Sequence, residues 1–378
     1  MKIVLAPDSF KESMTAVQAA EAMKRGFAKV FPDAEYVCVP MADGGEGTAQ
    51  TLVSALSGEW VHLSVQDPLG RPVEARYGVL PGGRAVIEMA EAAGIHLVSA
   101  DERNPLLTST FGVGQMVRDA VGRGIRHIIL GLGGSATNDG GAGLLQALGF
   151  RLLRADGSEL PPGGAALAEL AAVLPPADDG LAGCVFEAAC DVRNPLCGPE
   201  GASAVFGPQK GATPERVAVL DQALAHYADV LAQGGWPDSR EQAGSGAAGG
   251  LGFALRTVLG AELKPGIDMV VQTVGLAEAL HGADLAVTGE GRMDGQTAFG
   301  KVPSGVLAVA SQQNVPVVAI AGGLGEGAGS LNALGFRAVF PSVAAPQLLA
   351  EVLAAGEQNV ERTAEQIARL LALGKTLA

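Results

Sequence analysis

The sequence predicts an α/β protein in which both ends of the chain form one doubly wound, Rossmann-like domain and the middle forms an inserted second domain. Short apolar segments alternate with helical patterns in the first and last thirds, as in parallel β-α-β units. After residue 60, strand-like segments follow one another directly. These two patterns assign residues 1–60 and 282–378 to the first domain and 61–281 to an inserted α/β domain with a mixed sheet.

The first domain opens with an apolar strand over residues 3–6, which Pro7 closes. Thr15 and Gln18 have the spacing of a capping box, and apolar residues at helical spacing follow them. A second strand is predicted over residues 36–39. In the last third, strands are predicted over residues 284–288, 316–321 and 338–341, and a long helical pattern runs from there to the C-terminus.

In the middle third, segments rich in β-forming residues at 61–65, 73–79 and 85–89 predict an antiparallel meander. Further strands are predicted over 127–130 and 183–190. The glycine-rich stretch 243–252 has the composition of a flexible linker, but its helical flanks are equally consistent with a close-packed loop. Two contiguous domains divided near this stretch are therefore an alternative. Either arrangement implies a cleft between the domains, where small molecules commonly bind.

Composition excludes several classes of protein. The 378 residues carry 26 Lys and Arg against 40 Asp and Glu, a net charge of −14, which argues against nucleic-acid or anionic-membrane partners. With 48% hydrophobic and 17% charged residues, the chain is not disordered. No signal-peptide pattern or spanning apolar stretch is present, and the four cysteines form no C-x-x-C pair. We therefore expect a cytoplasmic enzyme with reduced thiols.

A glycine-rich run after the strand at 127–130 is a candidate phosphate loop. Glycines let backbone N–H groups surround an anion, and a following helix N-terminus adds partial positive charge. The candidate ligands for ATP phosphates are Gly133, Gly134, Ser135, Thr137 and Asn138, with Asp139 as a candidate metal ligand. A tight strand-to-helix turn is the structural alternative.

A second charged segment follows the strand predicted over residues 284–288. It carries Glu290, Arg292, Asp294 and Lys301. Gly295, Gly300 and Lys301 have Walker A spacing, but Val302 replaces the hydroxyl residue that would bind Mg²⁺. Two carboxylates and two cations suit the handling of Mg²⁺ and phosphate. A solvated, salt-bridged loop is the alternative.

Further polar residues follow other predicted strands, where open α/β sheets bind ligands. Asp191 is a candidate base or metal ligand, and Arg193 a candidate partner for a substrate carboxylate, although an Asx turn could also explain Asp191. Two acidic candidates, Asp8 and Asp43, follow the first two strands, each with a charged companion, Lys11 or Glu46. Helix capping is their alternative role.

Seven stretches together resemble the bacterial glycerate kinase family, in order and over nearly the whole chain. They are residues 6–11, 40–48, 67–72, 133–141, 190–198, 206–212 and 288–301. The resemblance implies ATP-dependent phosphorylation of D-glycerate with Mg²⁺ by a two-domain α/β enzyme, with 2-phosphoglycerate as the product. The resemblance carries no assignment of individual catalytic roles, so those below rest on chemistry.

Phosphoryl transfer needs positioning, charge neutralisation and a proton acceptor. We hypothesise that Asp191 or Asp294 accepts the proton, and that Asp43 and Glu290 lie near the metal. Lys301, Lys11 and the backbone of residues 133–135 would hold phosphates. Arg193 or Arg71 would bind the substrate carboxylate.

Alternatives remain for the function. The same kinase could give 3-phosphoglycerate or act on a related hydroxy acid, and a non-catalytic acid-binding protein is a more distant reading. The 131–137 run also resembles the phosphate loop of the galactokinase-like superfamily, whose layout the rest of the chain lacks. A dehydrogenase is disfavoured because Asp294 stands where the G-x-G-x-x-G fingerprint that Gly289 and Gly291 begin after a strand requires its third glycine. The sequence leaves a homodimer open.

Overall fold

The computed structural model describes residues 1–45, 47–178, 180–298 and 301–377, so Glu46 and Gly300 of the candidate motifs lie outside the described residues. The chain forms two compact units. One consists of Met1–Ser57 with Gly266–Ala378, and the other of Gly58–Pro265. The domain limits from the sequence, at residues 60 and 281, stay a prediction.

The first unit contains a parallel sheet built from both ends of the chain. Its strands are β1 (Lys2–Pro7), β2 (Glu35–Cys38), β11 (Leu285–Met293), β12 (Val317–Leu324) and β13 (Ala338–Pro341), numbered through the whole chain. They lie in the order β13-β12-β11-β1-β2. The helices of this unit are α1 (Ala16–Ala28), α2 (Thr48–Ala55), α9 (Gly266–Thr273), α10 (Leu276–Leu280), α11 (Val302–Gln312), α12 (Leu331–Leu334), α13 (Leu349–Ala354) and α14 (Gly356–Leu377).

Helix α1 begins at the predicted capping box. The Thr15 hydroxyl accepts a hydrogen bond from the backbone N–H of Gln18, and the Gln18 side chain accepts one from the backbone N–H of Thr15. The buried face of α1 packs against α14. Gly26 lies at their contact, where a Cβ would overlap the Glu361 carbonyl oxygen. Glycine is therefore required for this close approach of the two helices.

Strand β11 extends five residues beyond its predicted end at Thr288. It continues to Met293 because β12 runs beside it, pairing Glu290 with Ala321 and Arg292 with Gly323. The prediction ended the strand where glycines and charges begin. That part of the interpretation was wrong: Glu290 and Arg292 belong to a strand rather than to a loop.

The second unit contains a mixed six-stranded sheet in the order β10-β9-β6-β5-β4-β3. Its strands are β3 (Glu59–Gln66), β4 (Pro72–Leu80), β5 (Arg84–Glu88), β6 (His127–Gly131), β9 (Val185–Ala189) and β10 (Glu262–Lys264), and β7 (Arg151–Arg154) pairs separately with β8 (Leu170–Leu174). The helices are α3 (Ala90–Ala93), α4 (Phe111–Gly122), α5 (Ala142–Ala147), α6 (Ala202–Phe206), α7 (Pro214–Gln233) and α8 (Ala247–Thr257). Strands β3, β4 and β5 are antiparallel, as the predicted meander required.

The glycine-rich stretch 243–252 is a packed part of the second unit. Residues 244–252 are buried, and α8 begins within them. At Gly249, with φ of +68°, a Cβ would overlap the Thr137 carbonyl oxygen. The flexible-linker reading is therefore wrong, because the missing side chains let two backbone segments meet. The predicted fold class is confirmed: a parallel sheet from both chain ends and a mixed sheet from the inserted middle.

Candidate active site

Three carboxylates lie at one edge of the sheet in the first unit. Strands β1, β2 and β11 are mutually parallel, so their carboxyl ends share this edge. The backbone N–H of Asp8 donates to the Gly289 carbonyl oxygen at 2.8 Å, which fixes Asp8 beside β11. Asp43 follows β2, and Glu290 lies next to Gly289 in β11. The topology therefore brings together residues that are about 280 positions apart in the sequence.

These carboxylates line a cavity of about 690 Å³ within the first unit. Cations share the same wall. The charged lining residues are Asp8, Lys11, Glu12, Asp43, Glu290, Arg292 and Lys301. Asp294 does not belong to the described lining residues, although it lies near Arg292, whose Nε is 3.6 Å from the Asp294 carboxylate. The Arg292 side chain is 72% exposed. A cavity with this lining can hold a phosphorylated ligand.

The position of Asp8 changes its acidity. Burial raises the pKa of Asp8 to about 7, opposed by a hydrogen bond from the backbone N–H of Ser9 and reinforced by repulsion from Asp43 and Glu290. Burial also raises the pKa of Glu290. Two contacts oppose this rise: the Thr297 hydroxyl donates to Glu290 Oε1 at 2.8 Å, and the positive charge of Lys301 lies nearby. A carboxylate with a pKa near neutrality is suited to accept a proton during a reaction.

Lys301 and Glu290, which both line the cavity, form an ion pair with 3.6 Å between Nζ and Oε2. The helix-capping alternative does not hold for Asp8 or Asp43. Helix α1 is capped by Thr15, and α2 follows Gly47 without a side-chain cap. The Asp43 carboxylate accepts instead from the backbone N–H of Gly45, at 2.9 Å.

The carboxylates at this edge fit Mg²⁺. No group of three or more His, Cys, Asp or Glu side chains among the described residues could hold a metal by itself. Phosphoryl-transfer sites need less, because Mg²⁺ there takes one or two carboxylates together with phosphate oxygens and water. Asp43 and Glu290 offer the oxygen ligands that Mg²⁺ prefers. Both lie close enough to Asp8 for their negative charges to raise its pKa.

In the second unit, the predicted phosphate loop is mostly buried. After β6 ends at Gly131, only Gly133 and Gly134 are exposed among residues 132–141. Ser135 pairs with Gly94 in a β-bridge, and helix α5 does not begin until Ala142. The loop therefore exposes its backbone to solvent at Gly133 and Gly134. The N-terminus of α5, at Ala142, lies eight residues beyond Gly134 and does not follow these glycines directly.

Asp139 holds this loop together. It is fully buried, and its carboxylate accepts hydrogen bonds from the backbone N–H groups of Thr110, Gly141 and Gly143 and from the Thr110 hydroxyl, at 2.8 to 3.2 Å. Burial raises the pKa of Asp139 against these bonds. Because the chain itself donates four hydrogen bonds to its oxygens, these contacts favour a structural role for Asp139 over the predicted role of metal ligand.

Thr137 and Asn138 are also completely buried. The Asn138 amide donates to the Ser203 hydroxyl at 3.0 Å, and the Thr137 carbonyl oxygen accepts from Lys210 Nζ at 2.6 Å. Lys210 is 2% exposed, and burial lowers its pKa to about 7, opposed by Asp139. No role was predicted for Lys210, although it lies in the stretch 206–212, one of those that carried the family resemblance.

Asp191 and Arg193 are exposed beyond the end of β9. Strands β6 and β9 are parallel, with Gly131 opposite Ala189. Gly133 and Asp191 therefore lie two residues beyond a paired position, at the same edge of the mixed sheet. The exposed glycines of the loop, Gly133 and Gly134, therefore lie at the same sheet edge as Asp191 and Arg193.

Arg71 is bound within the chain. Its Nε lies 2.6 Å from the Asp67 carboxylate, and its Nη1 lies 2.9 Å from that of Glu102. Asp67 also accepts from the backbone N–H groups of Leu69 and Arg71, in the turn between β3 and β4. These contacts favour a structural role for Arg71 over the predicted binding of substrate.

Comparisons with known proteins agree over the full length of the chain. Residues 3–372 match the model of the Glycerate kinase family. A Bacillus subtilis protein named glycerate kinase is 49% identical, covering 100% of this chain and 99% of the relative. An Escherichia coli protein named glycerate 2-kinase is 46% identical, covering 99% of each. A crystal structure from Salmonella typhimurium LT2, described as a glycerate kinase 2, is 47% identical with a TM-score of 0.91, covering 100% of this chain and 99% of that chain.

Proposed function

Since this chain belongs to the glycerate kinase family and is a phosphotransferase, we propose that it transfers the γ-phosphoryl group of ATP to D-glycerate, with Mg²⁺, forming 2-phosphoglycerate. The observation that carries the proposal is the cavity of the first unit, which combines carboxylates and cations at the carboxyl ends of parallel strands. The choice of the C2 hydroxyl is supported by the name of the Escherichia coli relative, glycerate 2-kinase.

In the proposed reaction, the substrate hydroxyl oxygen bonds to the γ-phosphorus as the bond from that phosphorus to the bridging oxygen breaks. ADP leaves with that electron pair, and the hydroxyl proton passes to Asp8. Asp8 is preferred to Asp294 because it lines the cavity at the carboxyl end of β1, whereas Asp294 is not among the described lining residues. Asp191, in the second unit, stays a second candidate for the proton acceptor.

The cations of the cavity have electrostatic roles. Lys11 and Lys301 would stabilise the phosphate oxygens, and Arg292 would neutralise charge on the transferring group. Asp43 and Glu290 would hold Mg²⁺ together with phosphate oxygens, and the ion would supply charge neutralisation. The Thr297 hydroxyl bond to Glu290 would hold that carboxylate in place.

Residues of the second unit remain predictions. Arg193 is proposed to bind the glycerate carboxylate, because a guanidinium can pair with it in bidentate fashion. Gly133, Gly134 and Ser135 are proposed to contact phosphate through their backbone. A cytoplasmic location and a homodimer also stay predictions, and no helix among the described residues is long and apolar enough to cross a membrane.

The test is an ADP-release assay with D-glycerate, ATP and Mg²⁺, followed by phosphorus NMR of the product. We expect turnover that requires glycerate, with phosphate on the C2 oxygen. A product phosphorylated at C3 would keep the kinase and correct the position of transfer. Absence of glycerate-dependent ADP from folded protein would refute the substrate, and related hydroxy acids would then be assayed.

A further inference from the structure

Part of the cavity wall in the first unit is apolar. Helix α13 contributes Leu349, Val352 and Leu353, and Phe10 and Leu324 add further apolar surface. Leu349 is 70% exposed, so its apolar surface is available to a ligand in the cavity. D-Glycerate, a three-carbon acid with a carboxylate and two hydroxyls, has almost no apolar surface to match this wall. The cavity is also far larger than glycerate requires.

A buried amide lines the same cavity. Asn359, near the start of α14, is only 6% exposed, and its backbone N–H donates to the Ala355 carbonyl oxygen. Its side-chain Nδ2 is buried without a hydrogen-bond partner among the described residues. A buried donor without a partner destabilises the fold, so such groups are rare unless a ligand or water completes them.

We propose that this wall binds the adenine base of ATP and that the Asn359 amide hydrogen-bonds to the edge of the base. An asparagine amide can donate to an adenine ring nitrogen while accepting from the exocyclic amine. Guanine carries a carbonyl oxygen in place of that amine, so the same contact would discriminate between the two bases. The proposal rests on the proposed function in that ATP is the phosphoryl donor.

The rest of the cavity suits the remainder of the nucleotide. Lys11, Arg292 and Lys301 line it together with the apolar residues. A base held by α13 and α14 would therefore share one cavity with the cations that hold the phosphates. In this arrangement the apolar wall binds the base, Asn359 distinguishes adenine from guanine, and the cations bind the phosphates.

The experiment measures binding of ATP and of GTP, each with Mg²⁺ and without glycerate, by calorimetry on the full chain. Asn359→Ala should weaken ATP binding about 5- to 30-fold, the loss of one or two hydrogen bonds, and should change GTP binding less. The KM for D-glycerate should stay within about twofold. Asn359→Asp, which keeps the acceptor for the exocyclic amine but loses the donor to the ring nitrogen, should also weaken ATP binding while keeping the preference for ATP over GTP.

Gln358→Ala is the matched control, because Gln358 is the exposed neighbour of Asn359 on the same helix. It should leave both nucleotide affinities unchanged, and circular dichroism would establish that each variant is folded. Unchanged ATP affinity in folded Asn359→Ala and Asn359→Asp would overturn the proposal. A higher KM for D-glycerate with unchanged ATP affinity would also overturn it, assigning the wall to the acid.

The outcome is separable from that of the proposed function. If the wild-type chain binds ATP through Asn359 but releases no ADP with D-glycerate, the acceptor is wrong and the base site stands. If glycerate-dependent turnover occurs while Asn359 variants bind ATP normally, the base site is wrong and the kinase stands.

Discussion

The Lys210 ammonium group donates a 2.6 Å hydrogen bond to the Thr137 carbonyl oxygen in the interior of the second unit. This bond joins the segment before α7 to the loop that follows β6. Because Lys210 is almost completely buried, the loop is held by a charged group whose proton is easily lost. The pair therefore links the pH of the solution to the stability of the unit.

Lys210 should make unfolding free energy increase with pH above neutrality. Its pKa is about 7 in the folded state, whereas a lysine in the unfolded chain keeps its proton to about pH 10.5. Between these values the unfolded state binds more protons, so raising the pH favours folding, by at most about 2 kcal/mol from pH 7 to 9. Urea unfolding should show that this increment is reduced in Lys210→Met. An equal increment in both proteins would contradict the assignment.

Asp139→Asn should lower the free energy of unfolding by about 2–4 kcal/mol. The new amide would bring donors toward the backbone N–H groups of Thr110, Gly141 and Gly143, which now donate to the carboxylate. Urea unfolding measures this loss, and Asp33→Asn, at an exposed carboxylate, is the control. A stable variant whose activity requires much more Mg²⁺ would instead restore Asp139 as a metal ligand.

Asp8→Asn should be more stable than the wild type and much less active. Burial raises the pKa of Asp8 to about 7 from 3.8, so the folded state holds a proton that the unfolded state has lost. The contribution of Asp8 to the free energy of unfolding therefore falls as pH rises between these values. The stability advantage of the variant over the wild type should grow from pH 4 to 7 and then level off. At pH 8 we expect the free energy of unfolding of the variant to exceed that of the wild type by on the order of 1–3 kcal/mol. Thermal or urea unfolding without Mg²⁺ measures this difference.

The same variant should lose at least about 100-fold in kcat if Asp8 accepts the proton. A kcat within twofold of the wild type would remove Asp8 from the reaction. Asp191→Ala, assayed in parallel, would then be the next candidate, with a fall in kcat rather than a rise in KM as its signature.

The two arginine candidates for the glycerate carboxylate form a matched pair. Arg193→Ala should raise the KM for D-glycerate about tenfold or more, because Arg193 is exposed and has no ion pair among the described residues. Arg71→Ala should leave that KM within twofold and slightly lower the free energy of unfolding, because its guanidinium pairs with Asp67 and Glu102. Steady-state kinetics of both variants measure the difference, and the reverse pattern would exchange their roles.

Most of the architecture was predictable from the sequence because it depends on local periodicity. Alternating strand and helix patterns at both chain ends indicated the parallel sheet, and the short β-rich segments after Trp60 indicated the meander. The end of β11 was not predictable. It depends on pairing with β12, which lies more than twenty residues away, and glycine and charged residues at 289–293 carry no local strand signal.

The sequence by itself determined the chemical groups, the fold class and the family, because motifs and periodicity are properties of neighbouring residues. Only the tertiary structure decided how those groups are used. It buried Asp139 under four hydrogen bonds and paired Arg71 with Asp67 and Glu102. It also placed Asp8 beside Glu290 and left the side-chain Nδ2 of Asn359 without a partner among the described residues. The reason is physical: burial, charge pairing and acidity depend on atoms that are distant along the chain and adjacent only after folding.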